Sequence, residues 1–483
     1  MFKIKTFDVY SIMYAWLGVP ALLFILFWFK WYWSLPTAIL FSYSSIAFLR
    51  KIKTTTKNSY YEIGKSELII MGLLLVWMVI VGIGGFITQE QYDNSYRNEV
   101  LEQLVSKPWP VTAEATKPLP YLCYYFIYWL IPAGIGKLAS STEAAYITLF
   151  IYSYIGMAFS VLSVMRLCGR QKILVGVFFF LFGSCDVFNF LIFGKILGWV
   201  PSPSHGSHFI GNASVLYMCR YIHNMGISAL VIMIILYENR KNPGVLFLLW
   251  SFLFLYSPFV SLPIAPLVGY VLLKHLRQAI SPANMGAICL AGLTAVFYMG
   301  NTSGGSIKTI FQSDLAGEQI ILMTLGYLLF NFAVFMPFIW KEIKRDSIFW
   351  SLLAFTMVFS VLMPEYGNYD FGWKCTIPIS VYFMVIILRR MSQIKWGKGF
   401  SKQSSNVVFA LLLCLSVFSN YRMYYDMVWE YYMALCKEPP VQLGRARLHA
   451  GQLFINSETI CYDNFVQDKP TLYSKYFMNK TSE

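Results

Sequence analysis

Runs of about twenty apolar residues recur from one end of the chain to the other, each long enough to cross roughly 30 Å of hydrocarbon. Inside a bilayer such runs have to be helical, because lipid offers no partner for free backbone N–H and C=O groups. An outer-membrane barrel would instead alternate apolar and polar residues in strands of about ten. Composition agrees with helices: 57% of the 483 residues are hydrophobic and only 13% charged, where a soluble domain carries about a quarter charged. The expected fold class is all-α, a polytopic membrane helix bundle.

Thirteen candidate spans cover residues 9–28, 34–49, 67–86, 144–165, 173–193, 223–237, 245–257, 259–273, 283–300, 319–340, 348–363, 375–390 and 406–422. Between them stand short basic clusters, such as Arg50-Lys51-Lys53, Arg166-Arg170-Lys172, Arg240-Lys241, Lys274-Arg277 and Lys341-Lys344-Arg345. Short basic loops stay in the cytoplasm. The net charge of +14 is therefore a membrane signature, and no nucleic-acid partner is expected. Keeping every cluster inside puts the N-terminus in the cytoplasm and the C-terminus outside, in an integral membrane protein. Lys3 and Lys5 precede a retained first helix and not a cleaved leader.

Two regions are decided by that charge rule. Residues 119–137 are apolar, but a crossing there would throw Arg166–Lys172 outward, so an interfacial or re-entrant helix on the outer side is expected. Residues 245–273 must cross twice in about 43 Å of helix, which Pro258, Pro263 and Pro266 break into a short bent pair. The domains are then a transmembrane unit, 1–422, containing a large first outer loop at 87–143, and an extracytoplasmic tail, 423–483, either a small cap or disordered. The nine cysteines show no metal-binding spacing; Cys436 and Cys461 of the tail read as free thiols, with pairing as the alternative.

Polar chemistry collects near the outer ends of the spans. Asp93 and Arg97 open the large loop, four residues apart and hence on one face if helical; the plain alternative is a capping aspartate in a surface ion pair. Asp186 lies in the outer part of its span, where an ionisable group is costly unless it faces a cavity or partner. Asp370 and Lys374 repeat the acid-base spacing, with a solvated pair as the alternative. Arg220 and His223 open another span and suit a phosphate, or simply anchor the interface. His205 and His208 sit in Gly/Ser/Pro-rich surroundings that argue for loop and against a metal. Transporters more often place binding groups near the midplane of repeated halves, and neither feature is evident.

Asp93 just after an outward helix that ends at Ile83-Gly84-Gly85-Phe86, followed by Trp109-Pro110, Tyr124-Tyr125 and the apolar stretch 119–137, resembles the GT-C superfamily of polytopic membrane glycosyltransferases. The likeness is nearest to uncharacterised bacterial polysaccharide-type members, most specific over residues 80–190, and extends to residues 183–186 and 369–378. It implies transfer of a sugar from a polyprenyl-phosphate-linked donor to a saccharide, lipid or protein acceptor on the outer side. Asp93 is then the catalytic base, and Arg97, Asp186, Arg220, His223, Asp370 and Lys374 bind substrate. Glu90 and Asp93 stand where several members have paired acids, two extra spans precede the usual first helix, and Lys374 stands where an arginine is expected. No cofactor is required by this reading; a divalent cation stays open. The rival readings are a flippase or exporter, and a polymerase, of lipid-linked saccharides.

Overall fold

The computed structural model describes residues 2–89, 92–112, 121–185, 187–198, 219–220, 223–240, 243–279, 281–301, 307–309, 317–360, 362–364, 374–394, 400–420, 424–425, 428–429, 432–433, 436, 444–446, 466–467 and 471–479. Of the sequence-derived positions, Glu90, Asp186, His205, His208, Asp370 and Cys461 lie outside these, and for Asp93 the backbone alone is described.

The chain is all-α, and every one of the thirteen apolar segments contains a helix. These are α1 (Thr6–Trp28), α2 (Trp31–Thr55), α3 (Lys65–Ile80), α6 (Thr142–Cys168), α7 (Lys172–Leu181), α8 (His223–Glu238), α9 (Pro243–Tyr256), α10 (Ala265–Lys274), α11 (Pro282–Tyr298), α12 (Gly317–Leu328), α13 (Met336–Ile343), α14 (Ser347–Ser360), α15 (Ile377–Ser392) and α16 (Phe400–Val417). The segment 87–143 adds α4 (Tyr92–Ser106) and α5 (Leu130–Leu138). Among the described residues α1 and α6 are long and apolar enough to cross a membrane, and α12 with α13, bent by 72°, would make a third span. The outward faces of α1, α2 and α3 expose Leu26, Ile39, Ile46, Leu68, Leu73 and Val76, apolar surface that only a nonpolar surrounding or a partner would cover.

Several elements differ from the sequence reading. Three small antiparallel ladders appear: β1 (Phe2–Lys5) with β2 (Tyr60–Ile63), β3 (Tyr121–Leu122) with β6 (Val466–Gln467), and β4 (Ile307–Thr309) with β5 (Leu362–Pro364). Their strands are two to four residues long and lie outside the helices, where no hydrophobic period announces them. The span expected at 67–86 stops at Ile80, because Gly82, Gly84 and Gly85 take positive φ and turn the chain back; a Cβ on Gly82 would lie 2.6 Å from the Thr88 carbonyl oxygen. The span at 173–193 breaks after Leu181, with Ser184 at φ 61°. The bent pair takes the form expected: α9 and α10 are joined by short turns through Pro258 and Pro263, and Trp250 Nε1 donates to the Ser261 carbonyl at 3.1 Å.

Packing follows residue size. Gly286 of α11 rests so close to α2 that a Cβ would meet the Leu40 oxygen at 2.4 Å, and its N–H donates to Ser44 Oγ at 3.0 Å. This is the close approach that small residues permit between membrane helices. At the centre, α8 is buried from His223 through Tyr237 and α15 from Ile377 through Leu388. A helix apolar on all sides belongs inside a bundle. At the end of α8 away from His223, Arg166 pairs with Glu238 at 2.6 Å and Lys172 with Glu67 at 2.5 Å, closing that end with matched charges.

Candidate functional site

The site lies where the two central helices begin. His223 is the first residue of α8, and Lys374 stands in the turn leading into α15. Both helix N-termini carry partial positive charge. Arg97, Arg220, His223 and Lys374 are 6%, 2%, 2% and 4% exposed. Burial bears on two of the plain alternatives: the Arg97 side chain is not on a solvent-exposed helix face, and Lys374 is not a solvated surface cation.

The floor is residues 121–129, expected as part of one interfacial helix. The structure instead shows β3, an irregular run, one 3-10 turn (Ile127–Trp129) and then α5, which spans only about 14 Å. Irregular backbone inside a bundle needs partners from elsewhere, and they are present. Leu122 N–H donates to the Val111 carbonyl at 3.0 Å, Asn301 Nδ2 to the Cys123 carbonyl at 3.2 Å, and Asn224 Nδ2 to the Tyr125 carbonyl at 3.1 Å. Tyr128 shares a 2.7 Å hydrogen bond with Ser153 of α6. Side chains of α6, α8 and the end of α11 thus hold the floor in a shape its own backbone could not maintain.

On this floor the charged groups converge. Tyr124 and Tyr125 lie ring against ring with centroids 3.7 Å apart, and Tyr124 is parallel to Trp129 at 6.3 Å. Trp129 Nε1 donates to His223 Nε2 at 3.1 Å. Lys374 Nζ stands 5.6 Å from the Tyr125 ring centre and 5.0 Å from that of Phe259, a cation–π arrangement. Cys375 Sγ donates to the Phe259 carbonyl at 3.3 Å, holding Lys374 there. Arg97 acts electrostatically on both Tyr124 and His223, and Lys374 on Tyr124. Burial, with Tyr125 beside it, pushes the Tyr124 phenol well above its ordinary range against the pull of Arg97 and Lys374, so it remains a neutral donor. His223 and Lys374, widely spaced in sequence, therefore meet one aromatic patch, with the buried Arg97 near enough to act electrostatically on Tyr124 and His223; Arg220 is buried three residues ahead of His223.

The helix that carries Arg97 is fixed from outside. Position 93 lies one turn before it on α4, so the expected helical relation of the two positions is present in the backbone. Val100, Leu101 and Leu104 bury the apolar face of α4. Its polar face is tied down by the tail: Asn98 Nδ2 donates to Gln89 Oε1 at 2.8 Å and to the Ala446 carbonyl at 2.9 Å, and Gly444 N–H donates to the Ile87 carbonyl at 2.8 Å. Arg445 donates to Glu143 at 2.6 and 2.7 Å and to the Gly84 carbonyl at 3.1 Å. Farther on, Tyr473 Oη donates to the Trp28 carbonyl at 2.8 Å. Residues 444–446 and Tyr473 of the tail are thus packed onto the body, whereas Tyr425, Val428, Trp429 and Tyr432 are exposed and Cys436 is an exposed free thiol.

Trp129, Phe259 and Asn224 were not singled out as site residues by their local sequence. The Tyr124-Tyr125 doublet was a signal, but aromatic residues are so common here that packing explains them equally well. Among the described residues no group of three or more His, Cys, Asp or Glu side chains could hold a metal ion. No family model, curated protein or solved structure matches the chain.

Proposed function

We propose that the chain is a membrane glycosyltransferase of the GT-C type, moving a sugar from a polyprenyl-phosphate-linked donor to an acceptor hydroxyl at the outer surface of a bacterial inner membrane. In this reading the thirteen helical segments cross with the N-terminus inside, and the first outer loop and the tail meet over the site. The observation that carries the proposal is the meeting of His223 and Lys374 on the Tyr124–Tyr125–Trp129 patch, with the buried Arg97 near enough to act electrostatically on Tyr124 and His223. Buried cations are costly in a membrane protein and mark functional sites; aromatic faces beside them suit a sugar ring carried on an anionic phosphate.

The Asp93 carboxylate takes the proton of the acceptor hydroxyl as its oxygen attacks the anomeric carbon. The bond from that carbon to the phosphate oxygen breaks, and its electron pair leaves with the phosphate. Arg97, Lys374 and Arg220 stabilise that developing charge, where preorganised cations contribute most. With Nε2 occupied by Trp129, His223 offers Nδ1 as its donor position. Asp186 and Asp370 orient the acceptor.

Reconstitution in liposomes tests the assignment. Transfer of a labelled sugar to an acceptor, without movement of the lipid-linked donor across the bilayer, supports a transferase. Movement without transfer identifies a flippase or exporter, and lengthening of the lipid-linked saccharide itself a polymerase.

A further inference from the structure

At the opposite end of α8 from His223, a cavity of about 480 Å³ opens between α9, α10 and α14. Its walls are mainly apolar, including Leu249, Leu267 and Phe355, and its end is polar, with Asn239, Arg240 and Ser347. From Ser347 to Phe355 the wall runs about 12 Å along α14, a depth suited to a hydrocarbon chain. The flank is open: Tyr270, which also lines the cavity, is 60% exposed and Leu273 is 80% exposed. In a membrane that flank faces acyl chains and not water.

The charge at the polar end is fixed in place. Arg240 Nη1 donates to the Tyr237 carbonyl at 2.7 Å, and its guanidinium lies 4.2 Å from the Tyr237 ring centre. Among the described residues it makes no ion pair. The nearby acid at the head of α14, Asp346, is committed: one oxygen accepts from the Ile348 and Phe349 N–H groups at 3.1 and 3.2 Å, the other from Tyr382 at 2.6 Å. Lys274 adds a second cation, its Nζ 5.8 Å from the Tyr270 ring centre. Lys341 in the last turn of α13, and Lys344 and Arg345 just after it, lie toward the same end. Basic pockets between membrane helices on the cytoplasmic side suit anionic lipid headgroups.

We infer that this cavity is a binding site for an anionic glycerophospholipid, one acyl chain inside it and the phosphate against Arg240, Asn239 and Ser347. The inference rests on the membrane reading and is independent of sugar transfer. A small soluble anion would leave the apolar depth unfilled, and a zwitterionic lipid would bring its own ammonium group toward Arg240 and Lys274.

Native mass spectrometry of the full-length protein, equilibrated with mixed micelles of phosphatidylglycerol and phosphatidylcholine, tests this. The wild type is expected to retain one phosphatidylglycerol with about tenfold preference. Arg240→Gln should remove most of that preference, and Leu249→Trp should displace either lipid by filling the cavity. Equal retention of the two lipids by the wild type overturns the proposal, as does an undiminished preference in Arg240→Gln. Because Arg240→Gln leaves the cavity itself intact, the test survives even if Leu249→Trp fails to fold.

Discussion

The Trp129 indole N–H donates to His223 Nε2 at 3.1 Å, joining the irregular floor of the site to the first residue of the central helix. An indole can only donate, so Nε2 is an acceptor and the ring proton belongs on Nδ1. Trp129→Phe keeps an aromatic ring and removes that donor, leaving a buried acceptor unsatisfied. The expected cost is about 1–3 kcal/mol, measured as a fall in the unfolding midpoint of the purified protein. An unchanged midpoint would mean that the two rings only pack.

Arg445 reaches the site through the turn that leads into α4, and its contributions are unequal. Glu143 is half exposed, so Glu143→Gln should cost less than about 1 kcal/mol. Arg445→Ala also loses the hydrogen bond to Gly84 and the stacking on Tyr146 at 3.7 Å, and should cost clearly more. Thermal unfolding of the two variants side by side checks the order. Equal losses would reduce the contact to its ion pair.

How much of this was legible follows from which contacts leave a local signal. Apolar runs mark helices, so all thirteen segments were readable, as was the broken pair around Pro258. Arg97, His223 and Lys374 stood out because charges are rare in this chain. Their burial did not, since it depends on helices far away in sequence. The tail contacts of Arg445, Ala446 and Tyr473 link residues hundreds of positions apart and have no period. The ends of α3 and α7 were placed too far along, because glycine turns and the bend at Ser184 are themselves made of apolar or small residues that prolong the hydrophobic run.

Orientation has its own test. In a background with the nine cysteines replaced, Arg170→Cys and Lys344→Cys should resist an impermeant thiol reagent applied to intact cells, while Ser106→Cys should react. Ser106 and Lys344 are both exposed, so access and not burial decides the outcome. Outward labelling at position 170 would require residues 119–137 to cross the bilayer.

Catalysis is measured most directly at Asp93. Asp93→Asn keeps the size of the side chain and removes the carboxylate proposed as the base. With a polyprenyl-phosphate-linked sugar that the wild-type protein turns over, the variant in liposomes should transfer roughly a hundredfold more slowly or worse, while donor affinity changes little. Near-normal transfer by correctly inserted Asp93→Asn would contradict the account, leaving position 93 as an ordinary residue of the first turn of α4.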